Sequence, residues 1–225
     1  MKNKFLLIII ACLFTIGLVA QATRKKPKTN PPTPPVSIPS VTICSQIWML
    51  NNLEVTTYRN GDPIPQVTDP VAWWSLSTGA WCYYNNNSAN GPVYGKLYNW
   101  YAVNDPRGLA PAGWHVPSDA EWTTLSTCLG GEPIAGGAMK ETGTTHWTSP
   151  NTGATNSSGF TGLPGGDRNA YGTFSMVGSI VEWWSSTEAA STADAWASGL
   201  YYLDGAVGRS NLNKRFGHSV RCLRD

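Results

Sequence analysis

Apolar and polar positions along the chain change rhythm several times, and each change marks an expected element. Val41-Thr42-Ile43-Cys44-Ser45-Gln46-Ile47-Trp48-Met49 is dense in β-branched and aromatic residues and predicts one or two opening strands. In the stretch from Pro70 to Thr78, Asp69 or Thr68 supplies a cap and Val71, Trp74 and Ser75 share a face, which predicts a short helix. A second helix is written more fully. Ser118 caps it, Glu121 at the third helical position completes a capping box, and Trp122, Leu125 and Leu129 recur at helical spacing until Gly130-Gly131 stops the run. After Gly136 the text turns to loops with embedded aromatics: Thr145-His146-Trp147, residues 151–160, then Leu163-Pro164-Gly165-Gly166-Asp167-Arg168. From Gly178 the alternation predicts strands over 179–185, 195–203 and 206–211, with a turn at Asp204-Gly205. A final strand is expected over 217–223, with Val220 and Cys222 on one face and Arg221 on the other.

The N-terminal part follows a different logic. Lys2 and Lys4 precede an apolar run from Phe5 to Ala20, which closes on Ala20-Gln21-Ala22, so residues 1–22 read as a secretory signal peptide cleaved after Ala22. Cys12 resembles a lipoprotein site only loosely, because the apolar run continues past it. Residues 23–40 hold Pro27, Pro31, Pro32, Pro34, Pro35 and Pro39 and almost nothing to bury, which predicts a proline-rich linker. Residues 41–225 then form one domain without a second break, and no membrane span is expected once the signal is gone.

Composition narrows the function. The chain carries 11 Trp and 23 Gly with only 13% charged residues, so aromatic area rather than aliphatic helix faces must supply the core. From Ser40 onward ten basic residues face fourteen acidic ones, a formal balance of −4. Nucleic-acid binding, which needs a basic footprint, is therefore excluded as an expectation. Cys44, Cys82, Cys128 and Cys222 are an even set in an exported chain, so disulfides are expected, with three pairings open.

Several phrases carry a family resemblance: Gln46-Ile47-Trp48-Met49, Tyr94-Gly95-Lys96-Leu97-Tyr98-Asn99-Trp100-Tyr101-Ala102-Val103, Gly113-Trp114-His115-Val116-Pro117-Ser118, Leu163-Pro164-Gly165-Gly166, Trp183-Trp184-Ser185-Ser186-Thr187 and Ser219-Val220-Arg221-Cys222-Leu223-Arg224-Asp225. Their order resembles the Fibrobacter succinogenes major paralogous domain over residues 41–225. More distantly it resembles the C-type-lectin-like fold and the formylglycine-generating enzymes. The resemblance implies an α+β, C-type-lectin-like fold: a small twisted antiparallel sheet, one or two helices, long irregular loops, and first and last strands side by side. It also implies a Gram-negative source of the Bacteroidetes or Fibrobacteres type, a secreted or cell-surface location, and the disulfides Cys82–Cys222 and Cys44–Cys128.

The same resemblance argues against catalysis. Formylglycine-generating enzymes use a cysteine pair near the C-terminus, and here Cys222 is the only cysteine after Cys128. His115, His146 and His218 lie in no hydrolase or zinc motif. His115 reads as a packed, hydrogen-bonded residue and His218 as outward-facing. The expectation is a non-catalytic module without a cofactor that binds a glycan, surface polymer or protein at the cell exterior. Its expected contacts lie in the C-terminal strand-and-loop segment: Trp196, Tyr201, Tyr202, Asp204, Arg209, Asn211, Asn213 and Arg215, a mixture of rigid aromatics and adaptable polar groups. Lectin-like scaffolds diversified by retroelements vary a segment in this position. A structural surface or assembly module without a small ligand is the competing class. No metal is expected: Asp167, Asn169 and Glu182 offer oxygens for calcium, but they are three where six to eight are needed, and turn caps and salt bridges are the favoured reading.

Overall fold

The computed structural model describes residues 37–225. The expected signal peptide and most of the expected linker lie outside them. The opening segment is a hairpin of β1 (Ser40–Ile43) and β2 (Gln46–Met49), with Ser40 opposite Met49. Its two-residue loop requires a positive φ, which Cys44 adopts (φ 51°) while bonded to Cys128.

Helix α1 (Pro70–Trp74) starts where Asp69 Oδ1 accepts the Ala72 N–H at 2.7 Å. The buried residue is Trp73, however, while Val71 and Trp74 of the expected inner face are exposed. Trp73 Nε1–H reaches the Arg215 carbonyl, a partner that helical periodicity could not name. Next come β3 (Trp81–Cys82), α2 (Gly91–Tyr94), β4 (Leu97–Tyr98), α3 (Trp100–Val103) and β5 (Trp114–His115), with β3 and β4 paired.

Helix α4 (Asp119–Cys128) has the expected capping box: the Glu121 N–H donates to Ser118 Oγ, and the Ser118 N–H donates to Glu121 Oε2 at 2.7 Å. Gly130 and Gly131, at φ of 102° and 97°, end the run. Helix α5 (Glu132–Met139) follows and runs past Gly136 into residues expected as loop. Its Gly136-Gly137 pair weakens helix propensity by about 1 kcal/mol per residue. Tertiary contact overrides this, because both glycines let the helix touch other backbone directly.

A short pair, β6 (Asp167–Arg168) and β7 (Phe174–Ser175), precedes the three-stranded antiparallel sheet of β8 (Ile180–Glu188), β9 (Asp194–Tyr201) and β10 (Val207–Asn213), in the order β10-β9-β8. The expected final strand is interrupted. Gly217, His218 and Ser219 bridge in turn to Arg168, Tyr98 and Trp183, and only β11 (Leu223–Arg224) is a strand. It inserts between β2 and β5, giving the order β1-β2-β11-β5, so the last strand pairs with the second strand of the opening hairpin rather than lying beside β1 as expected.

Threading residues 217–223 among three neighbours buries all of them, which corrects one expectation. His218 does not face outward, being fully buried between Phe216 and Trp184. Arg221, on the face opposite Val220 and Cys222, is buried too: it donates to Asn52 Oδ1 at 3.1 and 3.0 Å and lies 4.3 Å over the Phe160 ring.

Nine of the eleven tryptophans are buried, Trp74 and Trp196 being the two that are not. Trp122 stacks on Trp183 at 5.6 Å and sits 4.6 Å from Trp48, fastening α4 to both larger sheets. The Cys44–Cys128 disulfide ties the opening hairpin to the end of α4. The second expected disulfide is not formed: Cys82 and Cys222 are free, buried thiols. They belong to different apolar clusters, Cys82 with Trp73 and Leu97, and Cys222 with Trp114 and Val220.

Candidate functional site

Strand pairing assigns the faces of the β8-β9-β10 sheet. Directly opposed residues share a face, so Glu182, Gly199 and Gly208 lie in one row, flanked by Ile180 with Tyr201 and by Trp184 with Ala197 and Ser210. Trp183 with Ser198 and Arg209, and Trp196 with Asn211, lie on the other face.

The first face holds a depression of about 200 Å³, lined among others by Glu182, Gly199, Tyr201, Asp204, Gly208 and Ser210. Two glycines leave its floor bare. A Cβ on Gly199 would stand 2.9 Å from Glu182 Cγ, so only glycine leaves the Glu182 side chain its place, while Gly208 faces open space apart from the Gly199 carbonyl at 3.7 Å. Tyr201 forms a wall, its ring edge-on to Tyr202 at 4.9 Å.

The lip is the turn after β9, which α5 clasps. Gly136 brings its Cα against the Ala206 carbonyl, where an added Cβ would lie only 2.1 Å from the oxygen. The Gly137 N–H donates to the Gly205 carbonyl at 2.9 Å. Lys140, fully buried one turn later, donates from Nζ to the carbonyls of Asp204 (2.7 Å), Thr152 (2.8 Å) and Tyr201 (3.1 Å). The Asp204 carboxylate accepts the Ala206 N–H at 3.0 Å.

Glu182 carries the chemistry. Among the described residues no donor forms a hydrogen bond to its carboxylate; the closest approach is His218 Nδ1 at 3.5 Å on its inner side. Burial, and after it the charge of Asp167, raises the Glu182 carboxyl to about 7. Burial pushes the His218 imidazole down to about 3, so it is neutral behind the carboxyl. Asp167 is itself raised by burial and accepts a hydrogen bond from Ser175 Oγ at 2.7 Å.

The eight expected contact residues do not form one surface. Tyr201 and Asp204 line the depression, with Tyr202 against Tyr201. Trp196, Arg209 and Asn211 lie on the opposite face, where the Arg209 guanidinium covers the Trp196 ring at 3.5 Å and forks onto the Asp119 carboxylate. Asn213 and Arg215 are occupied in the turn beyond β10: Asn213 Oδ1 accepts the Arg215 N–H, and Arg215 Nε–H donates to the Leu76 carbonyl. Residue parity along β9 already separates position 196 from 201.

The calcium donors are divided as well. Asn169 Oδ1 accepts the N–H groups of Tyr171 and Thr173 within its own turn, while Asp167 is held by Ser175 and acts on Glu182 as a like charge. Among the described residues no group of three or more His, Cys, Asp or Glu is arranged to hold a metal ion. The site residues missed from sequence are Gly199, Gly208, Ser210 and Lys140, and the signal that could have found the first three is the period-2 register across the three strands.

The other histidines are engaged. His115 Nδ1 meets Asp225 at 2.8 Å and its Nε2 meets Glu121 at 3.0 Å, while His146 Nδ1 meets Glu141 at 2.8 Å. In comparison with known proteins, the family model described as Fibrobacter succinogenes major domain matches residues 41–224. No curated protein and no solved structure matches the chain.

Proposed function

The chain belongs to the Fibrobacter succinogenes major domain family, and on that footing we propose that it is an exported, non-catalytic recognition module of C-type-lectin-like fold. It binds a small polar ligand, borne by a glycan, a surface polymer or a protein, in the depression over Gly199 and Gly208. The observation that carries this reading is a recess built from a bare glycine floor, an aromatic wall and an unpaired carboxylate, on a turn that α5 holds rigidly in place. Small-ligand sites have this composition: apolar walls with a few oriented polar groups. The lectin-like assignment is supported by the pairing of the last strand with the opening hairpin and by the long irregular connections over 140–166.

The non-catalytic reading rests on the engagement of the histidines. His115 and His146 bind carboxylates, and His218 is sealed in the core. A glycan and peptide array probed with the full chain and with Gly208→Val tests the proposal. Binding abolished by the filled floor, with unchanged thermal stability, supports it; binding indifferent to Gly208→Val refutes the site.

A second reading, a surface-assembly module, is favoured by exposed apolar side chains at Val71 (72%), Trp74 (51%) and Tyr171 (72%). Sedimentation of the wild type against Trp74→Ser/Tyr171→Ser separates it: concentration-dependent association lost in the double variant supports assembly.

A further inference from the structure

We propose that the depression on the β8-β9-β10 face recognises an ammonium group, with Glu182 as its counter-ion and Tyr201 as its aromatic wall. This rests on the reading of that depression as the recognition site and names the ligand chemistry it accepts.

The first argument is charge. The residues lining the recess include two acids, Glu182 and Asp204, and no base. The charge of a third carboxyl, Asp167, also acts on Glu182. The basic side chains nearby are spent elsewhere: the Lys140 ammonium on three carbonyls beneath the lip, and Arg209 on Asp119 on the opposite face. An anionic ligand would meet only like charge.

The second argument is hydrogen-bond capacity. An ionised carboxylate is acceptor-only with about four lone-pair sites, and Glu182 receives no hydrogen bond among the described residues. The one nearby nitrogen donor, His218, is kept neutral by burial and lies on the inner side. A ligand that balances Glu182 must therefore bring positive charge, which a primary ammonium delivers through three N–H donors and a quaternary one such as choline through charge alone.

The third argument is shape. Gly199 and Gly208 bare the floor beside the carboxyl, and Tyr201 stands on the same face two residues along β9 from Gly199. A cation within about 6 Å of an aromatic centroid is attracted by the ring face, more strongly in a desolvated recess. Carboxylate, ring and recess together form the arrangement that selects a cation over a neutral polyol. Two sources present this chemistry at a cell exterior, an amino sugar with a free amine and a lysine side chain.

The test is calorimetric titration of the full chain with choline, whose charge is permanent, and with 3,3-dimethylbutanol, its neutral isostere. Glucosamine against N-acetylglucosamine, and lysine against Nε-acetyl-lysine, distinguish the two sources. Choline should bind and its isostere should not. Because the Glu182 carboxyl sits at about 7, its ionised fraction rises about tenfold between pH 6 and pH 8, and choline affinity should rise with it. Glu182→Gln should remove that pH dependence and weaken binding at least tenfold. Gly208→Val, which leaves Glu182 untouched, should abolish binding while the melting temperature stays unchanged. Equal binding of choline and its isostere, or choline binding unaffected by Glu182→Gln, overturns the inference. If no cation binds but a neutral ligand binds and is lost in Gly208→Val, the ammonium inference fails and the recognition site stands. If nothing binds in the recess, both fall.

Discussion

Gly136→Ala sets helix propensity against tertiary contact. In the interior of an ordinary helix, replacing Gly with Ala stabilises by about 1 kcal/mol. Here the added Cβ would sit 2.1 Å from the Ala206 carbonyl oxygen, 2.6 Å from its carbon and 2.9 Å from the Gly205 oxygen, all of them backbone. Relieving an overlap of that size moves the turn by about 1 Å, since non-bonded heavy atoms rest near 3.5 Å. The turn is pinned by the Gly137 N–H to Gly205 bond and by Lys140 to Asp204 and Tyr201. Loosening one neutral bond and two charged ones costs roughly 2–4 kcal/mol, so the net effect is a loss of about 1–3 kcal/mol. For a domain of this size that lowers the melting temperature by about 3–10 °C. Urea unfolding followed by tryptophan fluorescence, with calorimetry for the melting temperature, measures it. A Gly136→Ala protein as stable as the wild type, or more so, would refute the close approach of α5 to the lip of the recess.

Lys140→Met removes the donor of three part-buried carbonyls and should destabilise by about 2–4 kcal/mol, read as a lower urea midpoint. Opening the Cys44–Cys128 disulfide, which closes a separation of 84 residues, should cost about 4–5 kcal/mol on loop-entropy grounds, measured by unfolding of Cys44→Ala/Cys128→Ala. Burial raises the thiols of Cys82 and Cys222 to about 12 each, so peptide mapping after alkylation should find both unlabelled in the native protein and labelled in denaturant. A Cys82–Cys222 peptide would contradict the structure. His115 is pulled down by burial, but its hydrogen bonds to Asp225 and Glu121 outweigh this and its pKa is raised. Its contribution is therefore full below the unfolded value near 6.5 and lost as pH rises through the folded one. Between pH 6 and pH 8.5 the wild type should lose more melting temperature than His115→Gln.

Local grammar made part of this fold legible. The Ser118 capping box, the Gly130-Gly131 stop, the opening hairpin and the three strands over 180–213 all follow from patterns spanning a few residues, and the structure has them. The Cys44–Cys128 pair came from family likeness, since spacing left three pairings open. What failed depended on contacts distant in sequence. Helix α5 extends past Gly136, where loop was expected; its Gly136-Gly137 pair weakens it locally, while the backbone that requires those glycines lies at 205–206 and at Gly153. Trp73 rather than Trp74 points inward because its indole finds the Arg215 carbonyl. His218 looked solvent-facing because two-faced alternation assumes one open side, and residues 217–223 have none. The site was half legible: Tyr201 and Asp204 lie in the recess, but Trp196 and Arg209 belong to the opposite face. Glu182, met in the sequence only as a calcium donor, is the carboxylate of the recess that accepts no hydrogen bond among the described residues.

The crystal structure of the protein with choline bound tests the central claim most directly. The account predicts the ammonium in the recess over Gly199 and Gly208, within about 4 Å of the Glu182 carboxylate and within about 6 Å of the Tyr201 ring centroid. Choline seated elsewhere, or in the recess but turned away from Glu182, would contradict it.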